Sequence, residues 1–258
     1  MSLVEKLAVL EATAKKHNLH TPYICGGIVR DLMFAQEDEK GKRIEELNDV
    51  DITTGYDDVH LLADLFAGAL GADVKEFDDG HKQVFHDGVF FDFSTNFKYK
   101  NVDELLKKAG VEEINDLVRE TYSRDFTINA MLMPLDFSEV LDLTNKGMED
   151  IRNKVLRCPL DCDASFKESP NRIMRCFVYI ARFGMTMSEG VKRSIKSNLD
   201  LLTKINPRYA GQKLNEALRL QPDLLDDLIE MGVMGKLKLT KHVSRMLINK
   251  RRLLDVLK

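Results

Sequence analysis

Asp49-Val50-Asp51, downstream of Gly26-Gly27-Ile28-Val29-Arg30-Asp31, constrains this chain more than any other feature in it. On a strand, residues i and i+2 point to one face, with Cα atoms about 6–7 Å apart. Carboxylates at that spacing converge on divalent cations about 3.5–4 Å apart, the separation used for in-line displacement at phosphorus. A Gly-Gly turn feeding a helix offers backbone N–H groups to a phosphate. Together these parts point to nucleotidyl transfer from a Mg-bound nucleoside triphosphate.

The periodicity around this core predicts an α+β head. Residues 3–17 read as an amphipathic helix with Leu3, Leu7, Leu10 and Ala14 on one stripe. Strands are expected at 22–25, 50–54, 72–77, 82–86 and 89–94, the last two joined by a His86-Asp87-Gly88 hairpin signal. Helices are expected at 28–35, from Asp57-Asp58 to about Ala69, at 102–109 and at 111–121, and residues 36–48 read as a charged, solvated excursion. Arg124–Leu132 reads as a compact mixed element and 140–142 as a short strand. Beyond Met148 the pattern is wholly helical, with segments at about 163–183, 188–203, 208–220, 222–231 and 240–257. Strands with helices followed by helices alone suggest an α+β head and an all-α appendage.

Charge divides the same way. Residues 1–150 carry 16 Lys+Arg against 31 Asp+Glu, a net −15, and residues 151–258 carry 22 against 11, a net +11. An acidic half suited to metal ions joined to a basic half suited to phosphate backbone fits nucleic-acid work. The plainer reading is two solvated faces of opposite sign. No apolar run reaches the roughly 18 residues needed to span a bilayer, and the N-terminus lacks a secretory pattern, so no membrane partner is expected and cytoplasm is the expected location. Cys25, Cys158, Cys162 and Cys176 read as free thiols of a reducing compartment, since Cys158 and Cys162 lack a second ligand pair at zinc spacing.

The remaining chemistry-bearing residues are individually ordinary. Asp-x-Asp pairs are more often turn or surface residues, and Gly-Gly often only supplies positive φ. In combination, Arg30 can meet a phosphate oxygen and Asp31 can fix the turn by accepting from backbone N–H groups. Asp92, inside Val89-Phe90-Phe91-Asp92-Phe93-Ser94, is an acid among aromatics and so a candidate third metal ligand or base. In Arg124-Asp125-Phe126-Thr127-Ile128-Asn129-Ala130, Arg124 can meet a triphosphate, Asp125 can accept from ribose hydroxyls and Asn129 offers a neutral donor and acceptor. Arg172 and Arg175, three apart on a helix opened by Pro170, can present planar donors to a base edge or phosphate. The bland alternatives are a capped helix start for the former stretch and simple ion pairs for the latter. Eight basic residues and one acid between Lys236 and Lys258 suit a terminal helix with one apolar and one RNA-facing side.

In this order, Gly26-Gly27-x-x-Arg30-Asp31, Asp49-x-Asp51, Arg124-Asp125-Phe126-Thr127-Ile128-Asn129-Ala130 and Glu168-x-x-x-Arg172-x-x-Arg175 resemble the class II tRNA nucleotidyltransferases (CCA-adding enzymes) and the related bacterial poly(A) polymerases. Leu141-Asp142, Gly147, Asp150-Ile151 and Leu156-Arg157 are similar to the stretch between that family's head and neck, and the resemblance covers about residues 22–185. It implies a nucleotidyltransferase head with a small β-sheet flanked by helices (residues 1–150), a helical neck that reads the incoming base (151–205) and a short basic RNA-binding body (206–258). It further implies Mg²⁺ held by Asp49 and Asp51, with Asp92 as a further catalytic acid. Nucleotide contacts are implied from Gly26, Gly27, Arg30, Arg124 and Asp125, with Arg172 as the base-reading Arg. The chain departs from the family pattern at Ser123 (Arg), Ser169 (Asp) and in Thr95-Asn96-Phe97, where an Arg is missing.

The expected activity is template-independent addition of CMP and AMP, from CTP and ATP, to the 3′ end of tRNA. Alternatives are poly(A)-type adenylyl transfer, a nucleotide- or RNA-binding homologue that has lost catalysis, and nucleotidyl transfer to a small molecule. The basic C-terminal half argues against the last.

Overall fold

A computed structural model of the protein describes residues 1–38, 47–78, 80–95 and 99–239. In chain order the first part holds α1 (Leu3–Lys16), β1 (Tyr23–Cys25), α2 (Gly27–Asp38), β2 (Asp49–Thr53), α3 (Val59–Leu70), β3 (Val74–Glu76), β4 (Lys82–His86), β5 (Val89–Phe93), α4 (Val102–Lys108), α5 (Asp116–Tyr122), a 3-10 turn (Thr127–Asn129), β6 (Leu132–Pro134) and α6 (Gly147–Arg152). There follow β7 (Val155–Leu156), α7 (Cys162–Glu168), α8 (Asn171–Phe183), β8 (Thr186–Met187), α9 (Glu189–Ser197), a 3-10 stretch (Leu199–Lys204), α10 (Pro207–Leu220), α11 (Leu224–Glu230) and α12 (Val233–Lys236). The fold is α+β. The chain separates into two compact units: Met1–Asn153 with Arg157–Leu160, and Lys154–Leu156 with the described residues from Asp161 onward.

In the first unit a six-stranded sheet runs in the order β3-β4-β5-β2-β1-β6. The β2–β5 pair is parallel and its neighbours are antiparallel. One face is apolar: Val50, Ile52, Val84, Phe91 and Phe93 are fully buried, and Phe66 of α3 meets Phe91 edge-on with ring centroids 5.2 Å apart. The alternation leaves Asp49, Asp51, Gln83, Phe85, Phe90 and Asp92 on the other face, which is open or half-buried. The β4–β5 turn has positive φ at both Asp87 and Gly88 (44° and 79°), as a two-residue hairpin matching strand twist requires. Lys6 of α1, 1% exposed, donates its Nζ to the carbonyls of His86 and Asp87 at 2.9 and 3.3 Å. That pins the hairpin to α1, whose start is fixed by a reciprocal Ser2–Glu5 capping box.

Several expectations from the sequence are corrected. The strand at 140–142 reduces to a single bridge between Leu141 and Leu132. Its partner is β6, an unanticipated edge strand whose Pro134 lacks an N–H and so fits only an edge. The helix expected from Val111 begins at Asp116, where the Asn115 side chain accepts from the Val118 N–H. The helix expected at 28–35 continues to Asp38, and residues 39–46 of the charged excursion lie outside the described residues.

The second unit is not wholly helical, because β7 and β8 pair in parallel. The helix expected over 163–183 is two helices. Pro170 drives Ser169 into extended backbone (φ −139°, ψ 95°), ending α7 before α8 begins. Asp163 accepts from Ser194 Oγ and from Asn198 Nδ2, tying α7 to the end of α9, and α10 packs along α8. The helix expected at 240–257, with most of the basic C-terminal stretch, lies outside the described residues. Among the described residues no helix is long and apolar enough to cross a membrane.

Candidate active site

Strand register assembles the acids. Asp49 and Asp51 share the open face of β2, and parallel pairing with β5 sets Phe90 beside Asp49 and Asp92 beside Asp51. On the far side of β5, Gln83 pairs with Asp92 and donates Nε2 to Asp92 Oδ1 at 2.9 Å. His81 Nε2 lies 4.0 Å from the same oxygen. Burial pushes the Asp92 carboxyl above the usual carboxylate range. The Gln83 hydrogen bond opposes that shift, and the adjoining Asp49 carboxyl, hydrogen-bonded to Asp92, adds to it. Among the described residues no group of three or more His, Cys, Asp or Glu side chains is gathered closely enough to hold a metal ion by itself.

Gly26 joins this face to the rest of the site. Its φ of +73° suits only glycine, and a Cβ there would stand 3.0 Å from Asp51 Oδ2 and 3.3 Å from an Arg124 terminal nitrogen. Gly27 opens α2. The Arg124 guanidinium donates to Glu120 Oε1 at 2.8 Å, and Thr53 Oγ1 donates to Glu120 Oε2 at 2.7 Å. Burial works against the Arg124 charge, but the Glu120 carboxylate hydrogen-bonded to it, together with Asp51, outweighs burial and holds its pKa above the ordinary guanidinium value. Arg124 Nε is buried with no hydrogen-bond partner among the described residues. Burial also pushes the Cys25 thiol up to about 12, so it is neutral beside Arg124.

Arg30 is placed differently from a free phosphate ligand. It is 5% exposed. Its Nε donates to Asp31 Oδ1 at 2.8 Å, and a terminal nitrogen donates to Asn129 Oδ1 at 2.9 Å. Asn129 Nδ2 donates to Asp125 Oδ1, which also accepts from the Phe126 N–H. Asp31, expected to accept from the turn backbone, accepts from Arg30. The Arg30–Asn129–Asp125 chain therefore braces α2 against the 3-10 turn that ends in Asn129 and against Asp125 just before it. Below that turn, Thr127 Oγ1 donates to Asp150 Oδ2 at 2.7 Å, and Arg157 Nε donates to the same carboxylate at 3.0 Å.

Sequence reasoning missed Glu120 and Gln83. Glu120 stands four residues before Arg124, a helical ion-pair spacing that could have flagged it. Gln83 carries no such local signal.

In the second unit Arg172 is 8% exposed and donates to Ser165 Oγ at 2.8 Å. Arg175 donates to the Tyr179 hydroxyl at 2.8 Å through a terminal nitrogen and 3.2 Å through Nε. All four cysteines are free thiols.

The family described as Poly A polymerase head domain matches residues 22–157, more than half of the chain. The chain belongs to the poly(A) polymerase head-domain family. The CCA-adding enzyme of Lactobacillus helveticus is 29% identical over 184 residues, covering 71% of this chain and 42% of that protein. Among solved structures, the Bacillus stearothermophilus CCA-adding enzyme in complex with CTP shares the fold with a TM-score of 0.70 at 22% identity, over 92% of this chain and 54% of that one. The Thermotoga maritima CCA-adding enzyme complexed with tRNA(CCA) does so with a TM-score of 0.68 at 23% identity, over 89% and 51%. The chain spans about half the length of the curated relatives it matches.

Proposed function

We propose that this chain is an RNA 3′-terminal nucleotidyltransferase that adds CMP and AMP, from CTP and ATP, to the 3′ end of tRNA. The observation that carries this is the row of acids on the open sheet face: Asp49 and Asp51 on β2, with Asp92 in register on β5 and in carboxyl contact with Asp49. Like charges held in contact call for a proton or a cation between them. An all-carboxylate donor set suits a hard cation, and Mg²⁺ takes one or two carboxylates while water and substrate phosphates complete its shell. A three-residue protein cage is therefore not needed here. Asp49 and Asp51 would hold the ion, with Asp92 beside them. Bound there, Mg²⁺ would acidify the attacking 3′-hydroxyl and offset charge on the departing pyrophosphate.

The chain's own residues supply positioning. Gly26, lacking a Cβ, lets a phosphate approach the backbone between Asp51 and Arg124. Arg124, kept charged by its surroundings, has a terminal nitrogen at the Gly26 gap that meets a triphosphate oxygen. Asp125, braced by Asn129 and Arg30, accepts from ribose hydroxyls, while Gly27 leads the helix that follows the turn. Asp92 takes the proton of the attacking hydroxyl. Arg172 and Arg175 of α8 read the incoming base. Membership of the head-domain family, and likeness to proteins named as CCA-adding enzymes in complex with CTP or tRNA, support tRNA and these triphosphates as substrates.

The test is to sequence the ends of a tRNA lacking its terminal CCA after incubation with Mg²⁺ and all four triphosphates. Ordered addition of C, C and A is expected. Incorporation of ATP alone on many RNAs would move the reading to poly(A)-type transfer, and absence of pyrophosphate release with every triphosphate and RNA would overturn it.

A further inference from the structure

We infer that Phe85 and Phe90 form a stacking platform for an unpaired base near the 3′ end of the RNA whose terminal hydroxyl faces the acid row. The inference rests on the proposed nucleotidyl transfer. Phe85 is 51% exposed and Phe90 40%, whereas the alternate residues of the same two strands, Val84, Phe91 and Phe93, are fully buried. The two rings face each other across the β4–β5 ladder, with centroids 4.6 Å apart and planes tilted by 39°. Their pairing register, Phe85 with Phe90 and Phe90 with Asp49, puts both rings on the acid face in the row that contains Asp49. Neighbouring strands lie about 4.8 Å apart, so the rings stand roughly 5 and 10 Å from the Asp49 position. Stacked nucleotides advance about 3.4 Å each. A chain ending at the acids thus brings a base one to three residues from its end over the rings.

The chemistry of this patch selects the occupant. Acids border the rings, so a phosphate is disfavoured there, while a nucleobase offers a neutral π-face. A protein lying flat on Phe90 would cover Asp49, its partner in register, and close the face to substrate. Base–aromatic stacking needs no particular base, which suits binding of an unpaired RNA end.

The chain contains no tryptophan, so Phe85→Trp places a single indole on the platform. Full-length Phe85→Trp protein is titrated with an unstructured RNA oligonucleotide bearing a free 3′-hydroxyl. Its tryptophan emission should be quenched as RNA binds. An oligonucleotide of the same length with abasic 3′-terminal residues should leave emission unchanged. Adding Phe90→Leu, which keeps apolar bulk without a π-face, should weaken the quenching titration by roughly 5- to 100-fold. In the otherwise unchanged chain, Phe85→Leu should raise the KM for RNA without raising that for the triphosphate. Quenching that follows protein concentration rather than RNA, or RNA binding seen by anisotropy without quenching, would overturn the platform and, in the first case, assign the rings to self-association. Quenching without any nucleotide transfer would leave the platform standing and defeat the proposed activity. Transfer without quenching would defeat the platform alone.

Discussion

Glu120 lies beneath Arg124 as its counter-ion, accepting from the guanidinium at 2.8 Å while its second oxygen accepts from Thr53 Oγ1 on β2 at 2.7 Å. Both acid and base are removed from water, Glu120 almost completely. Taking away one member of a buried pair leaves the other uncompensated, at a cost of about 3–5 kcal/mol. Glu120→Ala is expected to lose that much stability in urea unfolding. Glu120→Gln, which can still accept from Thr53, should lose less. Both should raise the KM for triphosphate, because Arg124 is then free to turn away from Gly26. An unfolding midpoint equal to the parent's in both variants would remove Glu120 from this role.

At Gly26 two effects add. A side chain there adopts a left-handed conformation, costing about 1–2 kcal/mol, and its Cβ enters the gap between Asp51 and Arg124. Gly26→Ala is expected to fold with a lowered midpoint and to lose nucleotide affinity more than stability. Isothermal titration with a non-hydrolysable triphosphate separates the two losses. Affinity falling only in proportion to the folded fraction would show that no phosphate approaches there.

The acid pair yields the sharpest kinetic expectation. Asp49→Asn and Asp51→Asn should each reduce nucleotide incorporation by roughly 10³-fold or more, since several kcal/mol of transition-state stabilisation depend on a bound cation. Circular dichroism should report an unchanged fold, because both side chains lie on the open face. Near-parental incorporation by either variant would sink the metal assignment.

What could be read in the sequence was local. The Asp87-Gly88 turn and the i, i+2 geometry of Asp49 and Asp51 depend on residues a few positions apart, and each stands where the pattern puts it. What escaped was set by pairing across the fold. Gln83 reaches Asp92 only through the β4–β5 register. Arg30 turns inward because Asn129, 99 positions later, accepts from it. β7 and β8 are two residues each, too short for an alternating signal, and exist because they find one another. The family motifs accordingly pointed to the candidate residues, while the buried partners that hold those residues had to be seen.

Asp92 supplies a test in which activity plays no part. Its carboxyl is held above the ordinary value of 3.8, first by burial and then by Asp49, against the pull of Gln83. A group whose folded pKa is raised contributes stability that is complete below its unfolded pKa and is lost as pH rises through the folded one. The parent is therefore penalised at neutral pH by carboxylates held together. Asp92→Asn relieves that penalty while keeping the shape and an acceptor. In metal-free buffer at neutral pH the variant should unfold at a higher temperature than the parent. The gain should shrink as pH falls and vanish below the ordinary carboxylate value. Adding Mg²⁺ at neutral pH should raise the parent's midpoint, because an ion that binds only the folded acids stabilises them, and should raise the variant's less. Scanning calorimetry of both proteins across this range, with and without Mg²⁺, reads both effects. Parallel midpoints at every pH would mean that Asp49 and Asp92 do not share a charge problem, and with it would go the reason to put a cation there.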